Sequence, residues 1–301
     1  MKTRIVLFAL LFTSVLSYSQ QDAQYTQYMY NTINVNPAYA GSRGALSVFA
    51  LYRAQWIGLE GAPVTSTVSV NTPLSESNLG LGVSIINDKL GPTTENNISA
   101  DLSYTMQTAE DWKLSFGIKA TANLFDLDVS KLSTRDVDNN LQNYSKISPN
   151  FGAGFYLHSS NAYLGFSIPN FIETTRYNDE QVAIFTDKIN YYFIGGLVFE
   201  LSDTVKFKPA FLGKMSDGAP LQLDVSGNFL FNDKFMLGAT YRWSAAISAM
   251  VGFQISDGMY IGYGYDREST NLGNFNSGSH EIFLRYELFK NTSRMTTPRF
   301  F

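Results

Sequence analysis

Read in steps of two, the chain falls into fourteen segments in which every second residue is apolar or small and uncharged, while the residues between carry the charges and amides. Successive side chains of a strand point to opposite faces, so each segment reads as a strand with one apolar face. From Trp112 to Phe125, one face holds Trp112, Leu114, Phe116, Ile118, Ala120, Ala122 and Leu124, and the other holds Lys113, Ser115, Lys119, Thr121 and Asn123. Leu79, Leu81, Val83 and Ile85 stand against Gly80, Gly82 and Ser84, and Ile98, Ala100, Leu102 and Tyr104 against Ser99, Asp101 and Ser103. No charged residue falls on the apolar face of any segment. The strands of a soluble sandwich are shorter and turn their polar face outward, whereas segments of mostly eight to fourteen residues suit strands that cross a membrane at a tilt.

The segments are Ala45 to Trp56, Pro63 to Thr72, Asn78 to Asn87, Asn96 to Gln107, Trp112 to Phe125, Ser148 to His158, Ala162 to Pro169 and Asn190 to Leu201. They continue with Val205 to Lys214, Leu221 to Phe231, Phe235 to Trp243, Ala246 to Ile255, Met259 to Asp266 and Ser279 to Leu288. The expected fold is all-β: a transmembrane antiparallel β-barrel of fourteen strands, an even number as closed barrels of this kind prefer.

Lys2 and Arg4, the apolar run Ile5 to Leu16 and the small residues Ser17 and Ser19 have the form of a secretory leader, with cleavage expected near Gln20 or Gln21. That run is too short to span a bilayer as a helix, and no other stretch reaches the required length, so insertion must come from strands. The chain has no cysteine, which excludes disulfides, thiolate metal sites and a lipidated N-terminal Cys. With 16% charged and 15% aromatic residues the composition suits a porin-like chain, and a formal net charge of −4 argues against nucleic acid as a partner. The expected organisation is a leader at 1–19, an extension at 20–44, one barrel at 45–290 and a tail at 291–301.

Connections after even-numbered segments are mostly tight: Ser159 to Asn161, Ser202 to Thr204, Asn232 to Lys234 and Ser256 to Gly258. The long ones, Asp126 to Ile147, Asn170 to Ile189 and Arg267 to Gly278, all follow odd-numbered segments. Bacterial barrels keep short turns in the periplasm, which places both termini there. Trp56, Tyr191, Trp243 and Tyr265 would then mark one membrane interface and Trp112, Phe199, Phe231 and Phe235 the other. Pro209 falls on the lipid face within a strand, and having no N–H to give the ladder it predicts a bulge or local break.

The inward face carries Arg53, Asp101, Lys119, Glu200, Lys206, Lys208, Asp224, Arg242, Glu281, Arg285 and Glu287. Signs are mixed, so a self-paired lining is expected rather than the one-sign ring of a selective pore. Inward glycines at Gly80, Gly82, Gly117, Gly152, Gly154, Gly165, Gly238, Gly252, Gly262 and Gly264 leave volume, to be filled by lumen aromatics such as Tyr156 and Tyr260 or by a docked polypeptide. The extension Gln21 to Gly44, rich in Tyr and Asn and poor in charge, has the composition of a plug or a partner-binding element. His158 and His280 are the only histidines. His280 on the lipid face could serve a membrane-embedded lipase only with a matching Ser and orienting group. Asp126, Asp128 and Ser130 start like a calcium loop, but Lys131 and Val137 stand where Gly and Glu are needed. No phosphate-binding Gly-rich turn is present, and neither a cofactor nor a metal is expected.

Tyr25-Thr-Gln-Tyr-Met-Tyr-Asn31 and Asn36-Pro-Ala-Tyr-Ala-Gly41, just after the leader, resemble the opening of the PorP/SprF family of Bacteroidetes outer-membrane proteins. The likeness continues through Arg53-Ala-Gln-Trp56, Gly61-Ala-Pro63, Gly80-Leu-Gly-Val-Ser-Ile-Ile-Asn87 and His280-Glu-Ile-Phe-Leu-Arg-Tyr286, essentially the whole mature chain. The resemblance implies an outer-membrane location and a role in the type IX secretion system. It further implies clients, such as surface adhesins, bearing a particular class of C-terminal secretion domain, and neighbours among the periplasmic and outer-membrane components of that machine. Joined to the barrel reading, it makes Tyr25, Tyr28, Tyr30, Asn31, Asn36, Pro37 and Tyr39 the expected partner-binding residues of the extension, with inward Arg53, Lys119 and Arg242 as second candidates. The competing functions are a passive porin or solute channel and, more remotely, a barrel enzyme.

Overall fold

Within a bilayer every backbone N–H and C=O must find a partner in the protein, so strands with a lipid-compatible face are stable only as a closed ladder. The computed structural model describes residues 28–74, 77–131, 143–176 and 185–288; the leader, Tyr25 and the tail lie outside them. The strands are β1 Leu46–Ala54, β2 Val64–Pro73, β3 Leu79–Leu90, β4 Thr93–Gln107, β5 Lys113–Leu127, β6 Tyr144–His158 and β7 Ala162–Ile168. A small hairpin of β8 Thr174–Arg176 and β9 Phe185–Asp187 stands in the connection to β10 Asn190–Leu197 and β11 Phe199–Ser202. The remainder are β12 Val205–Ser216, β13 Gln222–Phe231, β14 Phe235–Arg242, β15 Ala246–Ser256, β16 Met259–Glu268 and β17 Ser279–Leu288.

Consecutive strands pair antiparallel from β1 to β7, β7 passes to β10, β10 and β11 both lie on β12, and β12 to β17 run on in order. The ladder closes where β17 returns to β1, from Leu46↔Leu288 to Ala54↔His280. With β10 and β11 taken as one strand interrupted at Val198, the result is the expected closed antiparallel barrel of fourteen strands. Leu46 and Leu288 lie on the rim of the short turns. One of these turns places Asn232 and Asp233 at φ 51 and 52, as a type I′ turn requires. No described helix is long and apolar enough to cross a membrane.

The apolar face points out everywhere: Val83, Ile85, Phe116, Ile118, Ile247 and Ile282 are all exposed, while Ser84, Ser115, Lys119, Ser248 and Glu281 of the same strands are buried. Several strands, β3 to β6 among them, run further than the apolar pattern indicates. On β3 to β6 the outward row Ile85, Ile98, Ala122, Pro149 is apolar, the next row is Asn87, Asn96, Leu124, Ile147, and the one beyond is Lys89, Thr94, Asp126, Ser145. Asn87 donates to Asn96 at 2.7 Å, and Ser145 donates to Asp126. The hydrogen-bonded ladder therefore continues above the lipid while its outer face becomes polar.

Pro209 does not bulge its own strand, because β12 pairs with β13 in unbroken register from Val205 to Lys214. The break falls on the neighbour. Val198 turns its N–H away to Asn161 O at 2.7 Å, so Leu197 is the residue that faces Pro209. Without an N–H from Pro209 the ladder lapses there and resumes at Phe199↔Phe207 in the same register.

Candidate functional site

Residues 28–44 lie inside the barrel. Tyr28 to Tyr30 form a turn, α1 Thr32–Val35 follows, and Pro37–Tyr39 make one 3₁₀ turn. Asn36 accepts the Ala38 N–H on its side-chain oxygen at 3.0 Å, and Pro37, which has no N–H to lose, occupies the first helical position. Turn bonds continue with Asn36 N–H to Thr32 O at 2.8 Å and Ala40 N–H to Pro37 O at 3.1 Å. Elements of three or four residues do not persist alone in water, so the barrel wall must hold them.

The wall does so mainly through the plug's main chain. Ser103 donates to Ala40 O at 2.7 Å, Ser167 to Val35 O at 2.6 Å and Lys119 Nζ to Ile33 O at 3.3 Å, while Asn36 Nδ2 donates to Phe155 O at 3.0 Å. These wall residues belong to β4, β7, β5 and β6. From the opposite wall, Tyr30 stacks on Tyr260 with ring centroids 5.6 Å apart and lies 4.7 Å from Phe283, which in turn stacks on Phe49. The lumen thus contains a dry core of Tyr30, Ile33, Phe49, Leu51, Met236, Met250, Tyr260 and Phe283, each under 5% exposed. Full burial of such a side chain contributes about 1.5–3 kcal/mol.

Glycines divide between the two walls. A Cβ on Gly80 would strike the Ala40 carbonyl, one on Gly82 the Ile33 side chain, one on Gly117 the backbone of Pro37 and Ala38, and one on Gly154 the Asn36 amide. Across the lumen, Gly252 makes room for the Tyr260 hydroxyl and Gly262 for the Phe283 ring. Both occupants considered from sequence are therefore present, the chain's own extension on one side and lumen aromatics on the other.

Most of the inward charges pair among themselves, while Lys208 lies over the Tyr30 and Tyr163 rings. Arg53 bridges Asp266 at 2.6 Å and Glu281 at 3.0 Å, Lys119 meets Asp101 at 2.9 Å, and Arg242 meets Asp224 at 2.9 Å. Arg43, the last charged residue before β1, pairs with Glu287, which Arg285 also approaches at 3.6 Å. Lys206 pairs with Asp233 at 2.9 Å near the short-turn rim. Unlike the others, Glu200 is exposed. In the long connection after β5, Asp128 accepts the hydroxyl and N–H of Ser130 and meets Lys131 at 3.3 Å. The Ser130 hydroxyl holds the Asp128 carboxyl below the usual carboxylate range.

Of the residues singled out from sequence, Tyr28, Tyr30, Asn31, Asn36, Pro37 and Tyr39 are buried in the plug. Arg53, Lys119 and Arg242 are buried in the wall, and Lys119 bonds the plug directly. Tyr25 lies outside the described residues. His280 faces lipid with its Nδ1 2.6 Å from the Tyr263 hydroxyl. Sequence reasoning passed over Ser103 and Ser167, two unremarkable inward hydroxyls, and over Asp266 and Arg43, each of which completes an ion pair.

The family described as "Type IX secretion system membrane protein PorP/SprF" matches residues 17–286. No curated protein sequence matches. Among solved structures, the outer membrane protein Omp33 of Acinetobacter baumannii is 9% identical, covering 81% of this chain and 98% of its own, with a TM-score of 0.46. The CymD monoaromatic hydrocarbon channel is 11% identical over 88% of this chain and 93% of its own, with a TM-score of 0.47. The KdgM porin is 10% identical over 81% and 99%, with a TM-score of 0.39. At such values nothing about their solutes transfers.

Proposed function

This chain belongs to the PorP/SprF family of type IX secretion system membrane proteins and is an integral β-barrel of the outer membrane, and from that premise we propose that it is a closed docking and anchoring component for exported clients. In this reading a client engages the outer rim through its C-terminal domain, while the short-turn rim meets the periplasmic part of the machine. The lumen stays shut while the plug is seated. What carries the reading is the seating of residues 28–44, which bond or stack on strands of both walls and leave a dry core where a solute channel needs an open path. Paired charges of both signs support it further, since a conducting constriction favours one. Tyr28, Tyr30, Asn31, Asn36, Pro37 and Tyr39 act here as the seal, and they touch a client only when the seal lifts. No catalytic step enters, and the His280 imidazole is engaged by Tyr263.

The test joins conductance to secretion. The full chain reconstituted in planar bilayers is expected to be electrically silent, and cells lacking it to lose surface display of clients until the wild-type chain is restored. Steady ohmic conductance of the intact protein, together with normal secretion in its absence, would establish the solute-channel reading instead.

A further inference from the structure

The barrel closes at every strand, yet one strand outruns its neighbour. β6 starts at Tyr144, whereas its ladder with β7 begins only at Ala153↔Ile168. The chain after β7 covers the next stretch: Phe171 N–H donates to Phe151 O at 2.7 Å, and Asn150 exchanges side-chain bonds with Ile172 N–H and O at 3.0 and 2.8 Å. Beyond Asn150, among the described residues, nothing pairs with that side of β6.

The Phe151 carbonyl faces away from β5, and peptide direction alternates along a strand. Ser145 and Ile147 therefore present N–H and C=O to the open edge, and Pro149 presents C=O. This explains how a proline sits inside a fifteen-residue strand, since its missing N–H would have met no partner among the described residues. Around the edge stand Ile147, 72% exposed and the most exposed large apolar side chain described, and Phe151, Phe171 and Ile172. The Ile147 row also holds Asn87 and Asn96, and the next holds Lys89, Asp126 and Ser145, so the edge lies at the water boundary on the long-loop side. Edges left open in water are usually blunted by outward charge or a bulge. Here the outward residues are Ser145 and Ile147.

We propose that the open edge of β6 at Ser145 and Ile147 takes up an extended strand of an exported protein by strand addition, with an apolar side chain set beside Ile147. Only another extended backbone can satisfy N–H and C=O groups at alternate residues. Pro149 and the Asn150–Ile172 bonds end the edge on one side and Tyr144 on the other, which limits the added strand to about five residues. The proposal rests on the docking reading for who owns the strand, and on geometry alone for the edge itself.

The probe is a five-residue capped peptide alternating Thr and Val, titrated against the full chain in detergent micelles, beside the same peptide N-methylated at the central valine and again at its neighbours. Saturable binding is expected for the plain peptide, with at least a tenfold loss on methylating the N–H that faces the edge. Ile147→Pro removes one edge donor without touching the β5 ladder and is expected to weaken binding as much, whereas Ile147→Val retains it. Equal binding of all the methylated peptides, or of the Ile147→Pro barrel with its heat-modifiable mobility intact, would overturn the proposal. So would an Ile147→Cys chain that forms a disulfide with a second copy at every protein dilution, since the edge would then serve as a dimer contact. Client display in cells carrying Ile147→Pro separates the two readings. If the peptide result holds and display is unchanged, the edge stands and the docking function fails there.

Discussion

Asn36 donates from its side-chain amide to the main-chain carbonyl of Phe155 at 3.0 Å, while its side-chain oxygen takes the N–H of Ala38. One residue thus shapes the plug and ties it to β6. Asn36→Ala is expected to cost about 1–3 kcal/mol by leaving both buried partners unmet. Asn36→Asp, which keeps the turn acceptor but sets a buried carboxylate against the Phe155 carbonyl, is expected to cost at least as much. Heat-modifiable gel mobility against temperature measures both, and equal midpoints for wild type and Asn36→Ala would show that the plug contributes nothing to barrel stability.

Gly117 lies under the plug where an added Cβ would meet the backbone of Pro37 and Ala38. Backbone cannot swing aside as a side-chain tip can, so Gly117→Val is expected to lift the plug from a barrel that still forms. Channel openings should appear in planar bilayers where the wild type shows none. Gly227→Ala, whose Cβ meets the Phe207 ring at 3.3 Å, is the silent control.

Arg53 bridges the buried carboxylates of Asp266 and Glu281. Arg53→Met is expected to destabilise the barrel by about 3–5 kcal/mol, because two buried carboxylates then lose the cation that bridges them. Adding Asp266→Asn and Glu281→Gln should restore most of the loss. Urea unfolding in micelles reads it, and a triple variant no more stable than Arg53→Met would refute a charge-based account.

Removing residues 28–44 uncovers Phe49, Leu51, Tyr260 and Phe283 to the lumen. The shortened chain is expected to keep its β-strand circular dichroism, to conduct ions, and to melt at lower temperature than wild type. A shortened barrel that remains non-conducting would show that the paired wall charges close the lumen unaided.

The strands were legible because lipid tolerates no charge on the outward face, so the membrane imprints period two on the sequence. That imprint stops where lipid stops. Asn87, Asn96 and Asp126 end the apolar pattern, yet β3 to β6 continue past them because pairing needs backbone rather than apolar side chains. The lapse at Val198 was displaced by one strand for a related reason: Pro209 shows which N–H is missing, and only the pairing shows which neighbour goes without it. Composition marked the extension as more than a tail, but its position depends on Ser103, Ser167 and Phe155, which are 63, 132 and 119 residues from their plug partners. No local pattern encodes contacts of that separation. The hairpin of β8 and β9 carries no alternation long enough to read.

The pairing of β1 with β17 joins the two ends of the barrel sequence, and the plug is the stretch immediately before β1. Of all the ladders this one spans the longest intervening chain, so its closure entropy is the greatest and it is the natural last step of assembly. The sheet can therefore curl around residues 28–44 while its seam is still open, and no finished cylinder has to be threaded. Any factor that delays the seam gives this segment time to find its seat, and any that hastens it risks sealing the barrel with the segment outside.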